Sequence, residues 1–219
     1  MPPKRNIVSS GKKLAAAAAA AVITGTTAFS LPYFIGQKVI SVIDGDSFKI
    51  VNDQTIRLAS LDAPEAKLCG GKEATVALSK KILGKRVILR DEKSDRFGRI
   101  IALVYLPDGT LVNEYLVKYG FAQTTTEAGD ENPRVKAAND YARENKLGIF
   151  GEECSPTRPP SKNCLIKGNY NYHDRDNLYF TRDCRHYEKV LVKKYQGDQW
   201  FCSEKEAQKA GFTKSPTCE

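Results

Sequence analysis

The sequence predicts an α+β fold: a small five-stranded β-barrel closed by three helices, with a small disulfide-stabilised module after it. Three observations carry this. Short apolar runs alternate with Gly/Asp/Asn turns from residue 38 to 61, the pattern of an antiparallel meander. Three stretches with helical spacing follow, interleaved with two more apolar runs, and each stops at a glycine. Six cysteines, four of them beyond residue 160, suit a small module too short to bury a large core.

The elements follow in chain order. Lys38 to Ile43 is the first strand, with Val39, Ile40, Val42 and Ile43. Asp44-Gly45-Asp46 interrupts it, and Ser47 to Val51 resumes. Asn52-Asp53-Gln54 makes a turn into a third strand, Thr55 to Leu61. A helix over Lys72 to Leu83 puts Ala74, Ala77, Leu78 and Ile82 on one face, with Gly84 at the stop. Arg86 to Arg90 and Arg99 to Leu106 are two more strands. Leu111 to Tyr119 is a short helix ending at Gly120, and Phe121 to Thr124 is extended. The third helix, Arg134 to Lys146, turns Val135, Ala138, Tyr141 and Ala142 inward. Five strands with helices after them fit a small closed barrel.

Composition bounds the rest. The 219 residues are 41% hydrophobic and 27% charged, as in a folded globular chain and not a disordered one. Sixteen glycines and ten prolines are too few for a collagen repeat. One long apolar stretch excludes a polytopic membrane protein. The net charge of +8 divides as +4 over residues 1–36, zero over 37–153 and +4 over 154–219. The central region is neutral, so placed residues rather than bulk basicity must carry its function.

Lys4, Arg5, Lys12 and Lys13 precede an apolar run from Leu14 to about Gly36 that includes seven alanines, Ala15 to Ala21. A positive flank before such a run is a signal peptide or a signal anchor over residues 1–36. Ala28-Phe29-Ser30 offers a cleavage site, and the run is also long enough to span a bilayer. Either way the remainder is exported: secreted, periplasmic, or anchored to the cytoplasmic membrane.

Cys69, Cys154, Cys164, Cys184, Cys202 and Cys218 fit that compartment as disulfides. Zinc is the alternative, but no C-x-x-C pair exists and the last four cysteines lie 20, 18 and 16 residues apart. Many pairings are open. The reading adopted keeps Cys69 with Cys154 and pairs the last four among themselves. Ser155-Pro-Thr-Arg-Pro-Pro-Ser161 is an extended linker. The organisation is therefore a barrel domain over 37–153, a linker over 154–161 and a Cys/aromatic module over 162–219.

The chemistry gathers at element ends. Asp44-Gly45-Asp46 sits at a strand break, and Asp62 and Glu65 leave the third strand around Pro64. Arg57 lies in that strand, and Asp95-Arg96-Phe97-Gly98-Arg99 leads into another. Clustered carboxylates suit a hard cation such as Ca²⁺. Arginine forks suit a phosphate. Together these are the parts of phosphodiester hydrolysis. Taken singly, each has a plain reading: Asp-Gly is a common turn, a surface Arg is ordinarily solvated, and Asp62 can be a turn residue.

Jointly, Val42 to Ser47, Arg57 to Glu65 and Asp95 to Arg99 resemble the three signature segments of the staphylococcal nuclease (thermonuclease) family, in its order and spacing. Asn113-Glu114 and Gly120-Phe121-Ala122 match its later helix and strand. The resemblance covers about residues 38–150. It implies an OB-type barrel with three helices and Ca²⁺-dependent cleavage of DNA and RNA with little sugar specificity, leaving 3′-phosphates. It implies Asp46, Asp62 and the backbone carbonyl of Ala63 as calcium ligands. Glu65 would be the base or positioner of the attacking water, Arg57 and Arg99 the phosphate grip, and Asp44 a support behind the ion. The chain departs from the family pattern in two places. Thr124-Thr125-Thr126-Glu127-Ala128 stands where family tyrosines flank the nucleotide, and Phe97 stands for a usual Tyr.

In the tail, Tyr170, Tyr172, Tyr179, Tyr187, Tyr195 and Trp200 stand among basic residues. They read as a tiny stapled aromatic core, with stacking on nucleic acid as the alternative. His173 and His186 read as surface residues. Cys164 to Asn169 and Trp200 to Ala207, with Ala210-Gly211-Phe212, resemble a small module found after some bacterial thermonuclease domains. The chain as a whole reads as a monomeric enzyme acting on DNA and RNA, with membrane contact if the N-terminal segment stays uncleaved. The alternative is a non-catalytic module that binds nucleic acid or an envelope polymer.

Overall fold

Leu58 and Leu61 are both buried, 1% exposed each, although an odd spacing puts residues on opposite faces of one continuous strand. In the computed structural model, which describes residues 36–126, 132–171 and 176–218, the chain resolves this conflict by breaking. The expected strand Thr55 to Leu61 is two strands. Ser60 between them adopts φ 61, a left-handed conformation that re-aims Leu61 at the core.

The strands are β1 (Gln37–Val42), β2 (Ser47–Ile50), β3 (Thr55–Leu58) and β4 (Leu61–Asp62), followed by helix α1 (Gly71–Ile82). Next come β5 (Arg86–Ser94), β6 (Ile100–Tyr105), α2 (Val112–Lys118), β7 (Gln123–Thr124) and α3 (Pro133–Glu144). Strands β1-β2-β3-β6-β5 form a closed barrel. Its pairs are antiparallel except β3 with β6, where Arg57 lies beside Ile101. Closure between β1 and β5 uses Gln37 with Val87 and Lys38 with Arg86, so the barrel has no free edge. Val39, Phe48, Ile56, Leu58, Val87, Ala102 and Val104 fill it. The outcome is the expected five-stranded barrel with three helices.

Two further differences have local causes. Strand β5 runs past Arg90 to Ser94, because backbone pairing with β6 continues through a bulge at Asp91 where the apolar pattern has stopped. In α3 the buried stripe is Val135, Ala138, Asn139 and Ala142; Tyr141 lies off it and is exposed. Positions i, i+3, i+4 and i+7 make one helical face, so Asn139 rather than Tyr141 falls on it. Asn132 caps α3 by accepting from the amides of Arg134 and Val135, with Pro133 at the first turn.

The tail folds into β8 (Ile166–Asn169), β9 (Leu178–Phe180), β10 (Gln199–Phe201), α4 (Glu204–Lys209) and β11 (Thr213–Lys214). Its sheet runs β10-β8-β9-β11. Tyr179, Phe201, Ala207 and Phe212 form the small core. The disulfides are Cys69–Cys154, Cys164–Cys202 and Cys184–Cys218, leaving no free cysteine for a metal. The export segment read over 1–36 lies, Gly36 apart, outside the described residues, as do Tyr172 and His173. Among the described residues no helix is long and apolar enough to cross a membrane.

Candidate active site

The turn between β1 and β2 holds the most constrained carboxylate. The amides of Ile43 and Asp44 donate to the Ser47 carbonyl, and the Asp46 amide donates to Asp44 Oδ1 at 3.1 Å. Gly45 is required by space: a Cβ there would lie 2.6 Å from the Cβ of Ala74 on α1 and 2.7 Å from that of Ala63. The turn therefore presses against α1, and Asp46 is left 3% exposed. Ser47 Oγ donates to Asp46 Oδ1 at 2.7 Å, and the Leu58 amide donates to the Asp46 carbonyl at 2.9 Å.

Arg57 faces this carboxylate because β2 and β3 pair it opposite Ser47. Its Nη1 donates to Asp46 Oδ1 at 2.6 Å and its Nη2 to Asp62 Oδ1 at 2.8 Å. One guanidinium thus joins carboxylates from two elements. Asp62 reaches it because the break at Ser60 turns the chain into β4, which pairs with β7 and not with the barrel. The next amide, Ala63, donates to Asp46 Oδ2 at 3.2 Å. Asp44, Asp46, Arg57, Asp62 and Ala63 are therefore one cluster.

The electrostatics differ at the two ends of the Asp46–Arg57 pair. Burial pushes Asp46 up to about 6; Arg57 pulls it down, and Asp44 adds to the rise. Burial also works against the Arg57 charge, but Asp46 and Asp62 outweigh it and hold the guanidinium above its ordinary value. The asymmetry is physical: Arg57 has two carboxylate partners, whereas Asp46 has one cation and a second carboxylate beside it.

Arg99 and Glu65 are held by other partners. Arg99 sits two residues before Ile101, the neighbour of Arg57 across β3 and β6. Its Nε donates to Asp95 Oδ2 at 2.7 Å. Asp95 Oδ1 accepts from the amides of Phe97 and Arg99, and Gln54 Nε2 ties the Gly98 carbonyl at 3.0 Å. Burial acts to raise the Asp95 carboxyl, and these bonds from Arg99 and Phe97 outweigh it and hold it below its usual range. Glu65 is exposed after Pro64, and its carbonyl accepts from the Leu68 amide at 2.8 Å.

The donor set suits a hard divalent cation. Asp44, Asp46 and Asp62 carry three formal negative charges against one positive charge on Arg57, a surplus of two, and every candidate donor is oxygen. Arg57 takes Oδ1 of both Asp46 and Asp62, and among the described residues no group of three or more His, Cys, Asp or Glu side chains is placed to hold a metal ion.

Sequence reasoning missed Asp95 as the holder of Arg99, Ser47 as a donor to Asp46, and Asn113. The first has a legible signal, an Asp-x-x-Gly turn with Asp and Arg at i and i+4. The second has none beyond adjacency. Asn113 is fully buried: its Oδ1 accepts from the Val104 amide at 2.9 Å and its Nδ2 donates to the Ala59 and Ala102 carbonyls. Ala59 is the last residue before the Ser60 break, so α2 pins the point from which Asp62 departs.

Comparison with known proteins places the chain among nuclease-named relatives. The family described as "Staphylococcal nuclease homologue" matches residues 55–152, a stretch that begins after Asp46 and contains Arg57, Asp62, Glu65 and Arg99. A protein of Escherichia coli named as an uncharacterized endonuclease is 33% identical over 118 residues, which are 52% of this chain and 76% of that one. A micrococcal nuclease of Shigella flexneri is 31% identical over 129 residues, 52% of this chain and 73% of its own. A staphylococcal-like nuclease of Arabidopsis thaliana is 32% identical over 104 residues, 48% of this chain and 31% of its own. With a closed five-stranded barrel, and relatives matched over about three quarters of their own length, the chain belongs to the staphylococcal nuclease family.

Proposed function

We propose that the protein is an exported, calcium-dependent nuclease that hydrolyses phosphodiester bonds of DNA and RNA with little discrimination between the sugars. The observation that supports this reading is the bridge Asp46–Arg57–Asp62, in which one guanidinium joins two carboxylates. Nuclease relatives on the same fold support the substrate class.

Asp46, Asp62 and the Ala63 carbonyl would hold Ca²⁺, and Asp44 orients the turn behind them. Bound there, Ca²⁺ would supply Lewis-acid polarisation of the phosphoryl oxygen. Glu65, exposed on its loop, positions or deprotonates the attacking water. Arg57 and Arg99 bind the phosphate oxygens and neutralise charge in the transition state. Asp95 takes the Nε edge of Arg99, so the terminal nitrogens form the edge offered to phosphate. Arg57 uses its terminal nitrogens on carboxylates, so a phosphate competes with Asp46 and Asp62 for those donors.

Export is supported by the positive flank Lys4 to Lys13 before the apolar run, and by three disulfides, which persist in oxidising compartments. Residues 1–36 act as a signal or as a membrane anchor, and the enzyme works as a monomer.

The test is incubation of the oxidised protein with denatured DNA and with RNA, in Ca²⁺ and in EGTA, beside Glu65→Gln and Arg99→Ala. Cleavage should require Ca²⁺ and fall by about a hundredfold or more in each variant. Retention of nucleic acid in EGTA with no product in any lane would overturn the enzyme reading in favour of a binding module.

A further inference from the structure

The module after the nuclease domain reaches that domain through the turn Lys194–Gln196, and the turn approaches two segments of the candidate site. Gln196 Nε2 donates to Gln123 Oε1 at 3.1 Å, and Gln123 on β7 is the register partner of Asp62 on β4. Tyr195, 3% exposed, packs edge-on against Phe150 with ring centroids 6.0 Å apart, in a cluster with Ala142, Ile149 and Cys154. The Lys194 amide donates to the Cys154 carbonyl at 2.8 Å. Cys154 is bonded to Cys69, which closes the short loop that starts at Glu65.

We infer that Gln196 and Tyr195 are positioning residues for the nuclease reaction: the module braces the strand that presents Asp62 and the loop that presents Glu65. This rests on the function proposed above. The physical need is plain. Strands β4 and β7 are two residues each, and a ladder that short has almost no stability of its own. Asp62 sits on it with 45% of its side chain exposed; Arg57 holds it from the barrel, and Asn139 on α3 holds Thr124 of β7. A buried aromatic anchor and a side-chain bond on the facing strand add a further constraint from outside the barrel. A module serving only as a tether needs neither.

The test uses the full oxidised protein and reads amide hydrogen exchange by mass spectrometry, with steady-state cleavage alongside. In Gln196→Ala, exchange in the peptide covering residues 59–66 should quicken by about threefold to tenfold, the worth of one such bond. Peptides from β1 and β2 should keep their rates. The kcat should fall with KM for DNA unchanged, and the Ca²⁺ concentration for half-maximal rate should rise. Gln123→Ala combined with Gln196→Ala should add nothing to either alone. Tyr195→Ala should quicken the same peptide more, and Lys205→Ala, on the exposed face of α4, should leave it unchanged. Unaltered exchange at residues 59–66 in both Gln196→Ala and Tyr195→Ala overturns the inference. So does a quickening spread equally over the barrel strands, the mark of general destabilisation. If the exchange pattern is as stated but the unsubstituted protein cleaves nothing in Ca²⁺, the brace stands and the proposed function falls.

Discussion

The side-chain amide of Asn113 donates to the carbonyl of Ala59 at 2.9 Å, joining residues 54 apart in sequence at the end of the third barrel strand. The same side chain serves Ala102 and Val104, and the Ala102 carbonyl also accepts from the Ala59 amide at 2.9 Å. Asn113→Leu keeps the branched shape with somewhat greater bulk and removes all three bonds inside the core. It should cost about 2–5 kcal/mol of unfolding free energy, since buried groups left unmet cost ~1–3 kcal/mol each and relaxation recovers part. Urea unfolding measures this. A loss under 1 kcal/mol would mean that water or a shifted strand replaces the amide.

Asp46 makes stability depend on pH in a definite direction. Its carboxyl is raised from 3.8 to about 6 in the folded chain, mainly by burial. The folded state therefore holds a proton more tightly than the unfolded state. The stability this confers is fully present below 3.8 and is lost as pH rises through about 6. In EDTA, the stability of the unsubstituted protein relative to Asp46→Asn should fall between roughly pH 4 and pH 8. Any change in hydrogen bonding is common to both pH values and cancels. Thermal unfolding at the two pH values reads the sign. A rise instead of a fall would show that the Arg57 pair outweighs burial.

Asp95 holds Arg99 by its Nε edge and closes the turn through the amides of Phe97 and Arg99. Asp95→Ala should lower kcat/KM on DNA by roughly tenfold to a hundredfold, matching a charge-assisted bond of ~1.5–3 kcal/mol. The loss should be smaller than for Arg99→Ala, because the guanidinium itself remains. An increase in activity would reveal Asp95 as a competitor for phosphate.

The Cys69–Cys154 bond spans 85 residues. Replacing both cysteines by Ala should cost about 2–5 kcal/mol, chiefly through the freedom regained by the unfolded chain. Differential scanning calorimetry of the double variant against the oxidised protein checks the size. Dithiothreitol should lower the Tm of the unsubstituted protein and leave that of the double variant less affected.

The barrel and helices were legible because periodicity records burial, as in Ala74, Ala77, Leu78 and Ile82. The break at Ser60 was not, because a serine carries no propensity for its left-handed conformation; only the odd spacing of buried Leu58 and Leu61 betrays it. Strand β5 beyond Arg90 was hidden for a related reason: four exposed charged or polar residues give no apolar alternation, and backbone pairing alone keeps them extended. At the site, the residue types of Asp46, Arg57 and Asp62 were visible in the motifs, whereas their junction depends on a strand pairing and a chain reversal. The approach of Gln196 to Gln123 had no local signal, since 73 residues separate them.

The cysteine connections set how the chain withstands proteases. Cys69–Cys154 encloses one ring, and Cys164–Cys202 and Cys184–Cys218 interleave to enclose another. A single nick inside either ring leaves both fragments covalently joined. Between Cys154 and Cys164 lies the prolyl segment with Pro156, Pro159 and Pro160, covered by no ring. That segment is the one stretch beyond Cys69 where a single cut detaches the module, and with it the turn that reaches Gln123. Proline, which most proteases cut poorly, occupies three of its nine positions.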